Sequence, residues 1–134
     1  VSGRDFSGVS YAEALERARA MVPALRERAA EMEEARQLLP ETEAELHANG
    51  LLRFAQPRRW GGMELDYVAL FDLPAEVGRG CTSTAWSVAN LAIHHWMLAL
   101  YDEQAQAEVW EKNPDAIIAS GIAYPQGSAK RVDG

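Results

Sequence analysis

CTSTAWSVANLAIHHW, residues 81–96, is the stretch on which the fold of this chain turns. Small and apolar residues occupy nearly every position, and no charged residue follows Cys81 until Asp102. A helix over 83–100 that is apolar nearly all round belongs at the centre of a bundle. The polar exceptions are therefore informative. Trp86, Asn90 and His94 are four apart, so they climb one side of that helix. A polar pair inside an apolar helix needs hydrogen-bond partners. Two readings stand. Asn90 and His94 are satisfied within the core, the histidine on a backbone carbonyl. Alternatively, both face a cavity in which His94 serves as acid or base near neutral pH and Trp86 forms an aromatic wall.

Four further helices flank this one. Toward the N-terminus, Ser10-Tyr11-Ala12-Glu13 matches a capping box, and apolar residues follow in steps of three and four from Tyr11 to Met32. Pro23 within that stripe predicts a kink or two abutting helices. Pro40 suits the first turn of a second helix and Gly50 its end. Asp66 is the expected cap of a third helix, which Gly78 and Gly80 close. On the C-terminal side Asp102 can cap a short helix ending near Trp110, and Asn113-Pro114 stops the helical pattern. Residues 116–124 then read as a strand, 129–132 as the start of another, and Asp133-Gly134 as a hairpin turn. Residues 1–9, rich in Gly and Ser, read as a flexible arm. The expected domains are 1–9 arm, 10–113 helical domain and 114–134 the opening of a β domain.

Composition narrows the functional classes. A chain of 134 residues suffices for one core, and a net charge of −7 argues against a nucleic-acid partner, which needs a basic face. A single cysteine, Cys81, excludes an internal disulfide and fits a reducing cytoplasm. The longest apolar run is broken by Asn90, His94 and His95, so no membrane partner is expected. His94 and His95 point about 100° apart on a helix and lack a third ligand at suitable spacing, so no metal site is expected. Ser120, in Ala119-Ser120-Gly121, lacks the Gly-x-Ser-x-Gly elbow of a hydrolase nucleophile. It is either a small residue at a close backbone approach or a site hydroxyl. Trp60, Trp96 and Trp110 read as packing residues.

Taken in order, Pro57-Arg58-Arg59-Trp60-Gly61-Gly62, Gly80-Cys81-Thr82-Ser83-Thr84-Ala85-Trp86, His94-His95-Trp96, Ala119-Ser120-Gly121 and Pro125-Gln126-Gly127-Ser128 resemble a known family. It comprises the oxygenase components of two-component flavin-dependent monooxygenases with the acyl-CoA dehydrogenase fold. Members hydroxylate 4-hydroxyphenylacetate, a phenolic secosteroid and related aromatics. The resemblance implies a mainly α chain: the N-terminal helical domain of that fold plus the first strand or strands of a truncated β domain. It implies that His94 and Ser120 are catalytic and hydrogen-bond the substrate hydroxyl, and that Trp86 and Asn90 line the substrate pocket. It places the segment with Ala123, Tyr124 and Ser128 along the flavin. It further implies reduced FMN or FAD supplied by diffusion from a separate reductase, O2 as co-substrate, a small aromatic substrate, a homotetramer and a cytoplasmic location. Where acyl-CoA dehydrogenases usually carry Thr-Glu-Pro, this chain has Ala123-Tyr124-Pro125, which favours the monooxygenase branch. The alternatives are another flavoenzyme of this fold (a dehydrogenase, N- or S-oxygenase) and a non-catalytic helical interaction module.

Overall fold

The computed structural model describes residues 4–120 and 128–132. Its helices are α1 (Tyr11–Ala35), α2 (Pro40–Asn49), α3 (Ala69–Gly78), α4 (Thr82–Ala99) and α5 (Glu103–Trp110), with a 3-10 turn at Arg58–Trp60. The Ser10–Glu13 capping box forms in both directions: the Glu13 amide donates to Ser10 Oγ at 3.3 Å, and the Ser10 amide to Glu13 Oε2 at 2.8 Å. From there α1 runs as one helix through Pro23, not as two abutting pieces. Pro23 and Arg19 are both exposed, so water can serve the Arg19 carbonyl that the missing Pro23 N–H leaves free. Ala14, Ala18, Met21, Leu25 and Met32 bury the inner face.

Pro40 occupies the first turn of α2, and Gly50 ends it at φ 72°. The third helix starts later than Asp66. That carboxylate accepts from the Val68 amide at 3.2 Å within a preceding turn, and Val68 takes the cap position without a side-chain bond. Asp102 does cap α5, accepting from the Ala105 amide at 3.0 Å.

The middle helix is α3, packed against α1 on one side and α4 on the other. The expectation that the fourth helix is central is therefore corrected. One side of α4 carries its apolar residues into the open, with Trp86 and the capping Leu100 each 68% exposed. No helix among the described residues is long and apolar enough to cross a membrane.

The expected flexible arm is also corrected over residues 4–9, residues 1–3 lying outside the described residues. Phe6 and Val9 are buried in the core, and the Phe6 amide donates to the Gly61 carbonyl at 2.9 Å. Apolar anchors at two positions outweigh the Gly/Ser content of the segment. Among the described residues there is no strand. Residues 116–120 and 128–132 run as irregular chain, and 121–127, the rest of the expected first strand, lie outside the described residues. A strand exists only as part of a ladder, and no described segment pairs with these.

Between α2 and α3 the chain makes a buried loop. Leu51, Leu52, Phe54 and Met63 are fully or almost fully buried, and so is Arg53. The two glycines permit the wrap. A Cβ on Gly61, itself at φ 75°, would lie 2.6 Å from Arg53 Nη2; one on Gly62 would lie 2.2 Å from the Gln56 carbonyl oxygen. Only hydrogen fits at either place.

Candidate active site

His94 lies on the inner part of α4, 6% exposed. Its Nδ1 is 2.5 Å from the main-chain oxygen of Asn90, one turn earlier, and its Nε2 is 2.5 Å from Ser120 Oγ. A carbonyl oxygen can only accept, so in the neutral ring Nδ1 carries the proton and Nε2 presents a lone pair. The Ser120 hydroxyl therefore donates to Nε2. Ser120 is itself exposed, while the ring behind it is buried. The arrangement is a buried acceptor nitrogen bonded to the hydroxyl of an exposed serine.

Of the other expected site residues, Asn90 reaches this pair through its backbone carbonyl, and its residue is half-buried. Trp86 is not brought to the pair. It lies two turns away, about 12 Å along the axis, in an open groove with Met32, Arg36, Leu38 and Ser83. Ser128 is exposed, while Ala123 and Tyr124 fall outside the described residues. Trp110 is fully buried and donates to the Ala116 carbonyl at 3.3 Å; the Trp60 ring N–H donates to Gln106 at 3.1 Å. Cys81 is a buried free thiol.

The neighbouring histidine has the opposite character. His95 is fully buried, edge-on to Trp110 at 5.6 Å, and neither ring nitrogen makes a hydrogen bond of normal geometry with a described residue. Burial pushes its pKa down to about 4, with only the nearby Leu52 backbone opposing. The unfolded chain, titrating near 6.5, thus binds a proton that the folded chain refuses. Stability is complete above pH 6.5 and is lost as pH falls toward 4, by about 3 kcal/mol. His95→Phe should lose that much less stability between pH 6.5 and 4, read from denaturant midpoints at each pH. An unchanged pH slope would contradict the assignment.

The residue least visible in the sequence is Arg53. Its side chain is 1% exposed and meets four groups: the carbonyls of Arg4 at 2.8 Å and Trp60 at 2.7 Å, Gln56 Oε1 at 3.2 Å and Asp115 Oδ1 at 3.1 Å. Burial pulls the guanidinium pKa below its ordinary value, and Asp115 counters that pull. Gln56, also buried, donates onward to the carbonyls of Trp60 and Pro114, each at 3.1 Å. The signal available beforehand was an arginine inside the apolar run Leu51-Leu52-Arg53-Phe54, followed by Gly61-Gly62.

Residues 11–112 match the family model described as acyl-CoA dehydrogenase, N-terminal domain. The oxygenase subunit HsaA of Rhodococcus jostii (strain RHA1), a flavin-dependent monooxygenase, is 37% identical over 120 residues, covering 90% of this chain and 31% of the relative. The oxygenase component of p-hydroxyphenylacetate 3-hydroxylase from Acinetobacter baumannii is 33% identical over 130 residues, covering 97% and 30%. The crystal structure of the HsaA monooxygenase from M. tuberculosis superposes with a TM-score of 0.75 at 32% identity, covering 85% of this chain and 30% of that one. The chain thus spans about a third of the length of these relatives and corresponds to their N-terminal part. With the helix order, the capped α1 and the buried Arg-Gly-Gly loop in place, the match over residues 11–112 makes this chain a member of the acyl-CoA dehydrogenase N-terminal domain family.

Proposed function

We propose that this chain is the N-terminal helical part of an oxygenase component that hydroxylates a phenol with reduced flavin and O2. The observation that carries the reading is the His94–Ser120 pair, with a buried acceptor nitrogen behind an exposed hydroxyl. The relatives' names support the reaction class: a flavin-dependent monooxygenase, an FADH2-dependent resorcinol hydroxylase and a p-hydroxyphenylacetate 3-hydroxylase.

Proton transfer follows from the tautomer. The Ser120 hydroxyl donates to His94 Nε2, so its oxygen accepts the O–H of an incoming phenol. As the phenol proton moves to Ser120 Oγ, the serine's own proton passes to Nε2. His94 becomes a cation, still bonded to the Asn90 carbonyl through Nδ1. Ser120 now donates to the phenolate oxygen and holds it. Phenolate is a far stronger ring nucleophile than phenol, so this step prepares the carbon for oxygenation. His94 is the base and Ser120 the group that touches substrate.

Ser128 places a neutral hydroxyl on exposed chain, a donor that fits the polar edge of a flavin. Ala123, Tyr124 and Ser128 would hold the group. Bound there, reduced FMN or FAD from a separate reductase supplies the electrons with which one atom of O2 enters the ring. Trp86 and Asn90 would line the rest of the substrate space once further parts of the protein cover α4. A homotetramer and a cytoplasmic location complete the proposal.

The test is the ionisation state of a bound phenol. Ultraviolet difference spectra should show the phenolate band on binding to the wild-type protein, and its loss with His94→Gln while the phenol still binds. A phenol bound in its neutral form by both proteins would refute the role of His94. A second reading, a non-catalytic interaction module, draws on the exposed Phe71, Trp86, Leu100 and Tyr101. It predicts no phenol binding at all.

A further inference from the structure

Ser120 lies on irregular chain, beyond the last helix, yet it meets a buried nitrogen on α4. No described element carries it there. What fixes the segment is a set of three bonds made by buried side chains to three consecutive residues. Gln56 Nε2 donates to the Pro114 carbonyl at 3.1 Å, Arg53 Nη1 to Asp115 Oδ1 at 3.1 Å, and Trp110 Nε1 to the Ala116 carbonyl at 3.3 Å. The three donors are themselves 0–1% exposed. Arg53 and Gln56 are also joined to each other at 3.2 Å. Trp110 stands against His95, the residue next to His94.

The clamp therefore ties residues 114–116 to the same body that holds the His94 ring. Ser120 is four residues past the last tie. A free chain of that length reaches about 14 Å in any direction, so an untied segment would sample many positions away from Nε2. Holding its start against Trp110 and Arg53 removes most of them. The bonds differ in kind as well as place: two accept through main-chain oxygens, which any sequence supplies, and one through the carboxylate of Asp115. Asp115 is thus the member whose side chain can be altered without opening the core, its own side chain being 37% exposed.

We propose that Arg53, Gln56 and Asp115 are positioning residues that hold Ser120 against His94 Nε2. This rests on the reading of the pair given above only for its catalytic meaning; the positioning itself is independent of it.

The experiment uses this chain with 15N-labelled histidine and reads the His94 ring nitrogens by NMR. Ser120→Ala defines the signal of an Nε2 without its hydroxyl. Asp115→Ala should shift the His94 signals most of the way to the Ser120→Ala position, and Asp115→Asn, which keeps an oxygen acceptor for Arg53, should restore most of the wild-type signal. Thermal melts taken alongside separate positioning from stability. A lower melting temperature for Asp115→Ala with unchanged His94 signals would overturn the proposal, because the contact would then be structural only. If Ser120→Ala itself left the wild-type signals unmoved, there would be no pair to position, which also overturns it. A pair that forms and responds to Asp115, in a protein that hydroxylates no phenol, would sink the catalytic reading and leave the positioning intact.

Discussion

His94→Gln is expected to lower the turnover of phenol hydroxylation by about 10²- to 10⁴-fold, the range typical for loss of a positioned base. Glutamine can still bond Ser120 but cannot take a proton at neutral pH. Substrate binding should change little, because the exposed face toward substrate is the Ser120 hydroxyl. A phenol acidic enough to be ionised already in solution should recover most of the lost rate, since the proton His94 would have removed is gone. Ser120→Ala should cost less, as water can occupy an exposed position and relay the proton. Steady-state rates with a series of phenols of falling pKa check this. Equal loss for ionised and neutral phenols would mean that His94 acts by some means other than proton transfer.

Arg53→Leu is expected to destabilise the domain by about 3–5 kcal/mol, the usual cost of removing one partner from a buried charged network. Leucine leaves the Arg4 carbonyl, the Gln56 side-chain oxygen and the Asp115 carboxylate without their arginine donor, and the Trp60 carbonyl with only its bond from Gln56. Total stabilities of about 5–15 kcal/mol make that a large fraction. Arg53→Lys should recover little, because a single ammonium cannot reproduce a planar fork that meets four groups at once. Urea unfolding at neutral pH measures the loss. A change below about 1 kcal/mol would show that the network is dispensable, since an ordinary surface substitution does no more.

Much of the helical frame was legible because its signals are local. Ser10 with Glu13, Pro40 with Gly50 and Asp102 each mark an end through bonds made within a few residues. What the chain order could not convey was which apolar face meets which. The uniformly apolar fourth helix looked central, yet α3 takes the middle and α4 leaves Trp86 exposed. Hydrophobicity says that a surface wants cover, not what covers it. The N-terminal segment misled for a related reason: Phe6 and Val9 are two anchors amid flexible residues, and their partner, the loop around Gly61, is about fifty residues away.

For the candidate site, the histidine was visible as a polar residue in an apolar helix. The reading in which it bonds a backbone carbonyl is met at one ring nitrogen, and the other ring nitrogen bonds the Ser120 hydroxyl. Ser120 could be linked to it only through the family resemblance, as 26 residues separate them and no periodicity spans the change from helix to irregular chain. Arg53, Gln56 and Asp115 went unread because their connections run between residues up to 62 apart in the sequence. A buried arginine is invisible to any pattern that treats charge as a mark of the surface.

The proposed activity requires that a phenol receive oxygen from O2 in a manner that needs His94. The direct measurement supplies the protein with a flavin reductase, NADH, 18O2 and a phenol, and follows the label by mass spectrometry. Incorporation of one labelled atom into the ring by the wild-type protein, lost with His94→Gln and recovered with an already ionised phenol, is the predicted result. Unlabelled product, or labelled product formed equally well by both proteins, would contradict it.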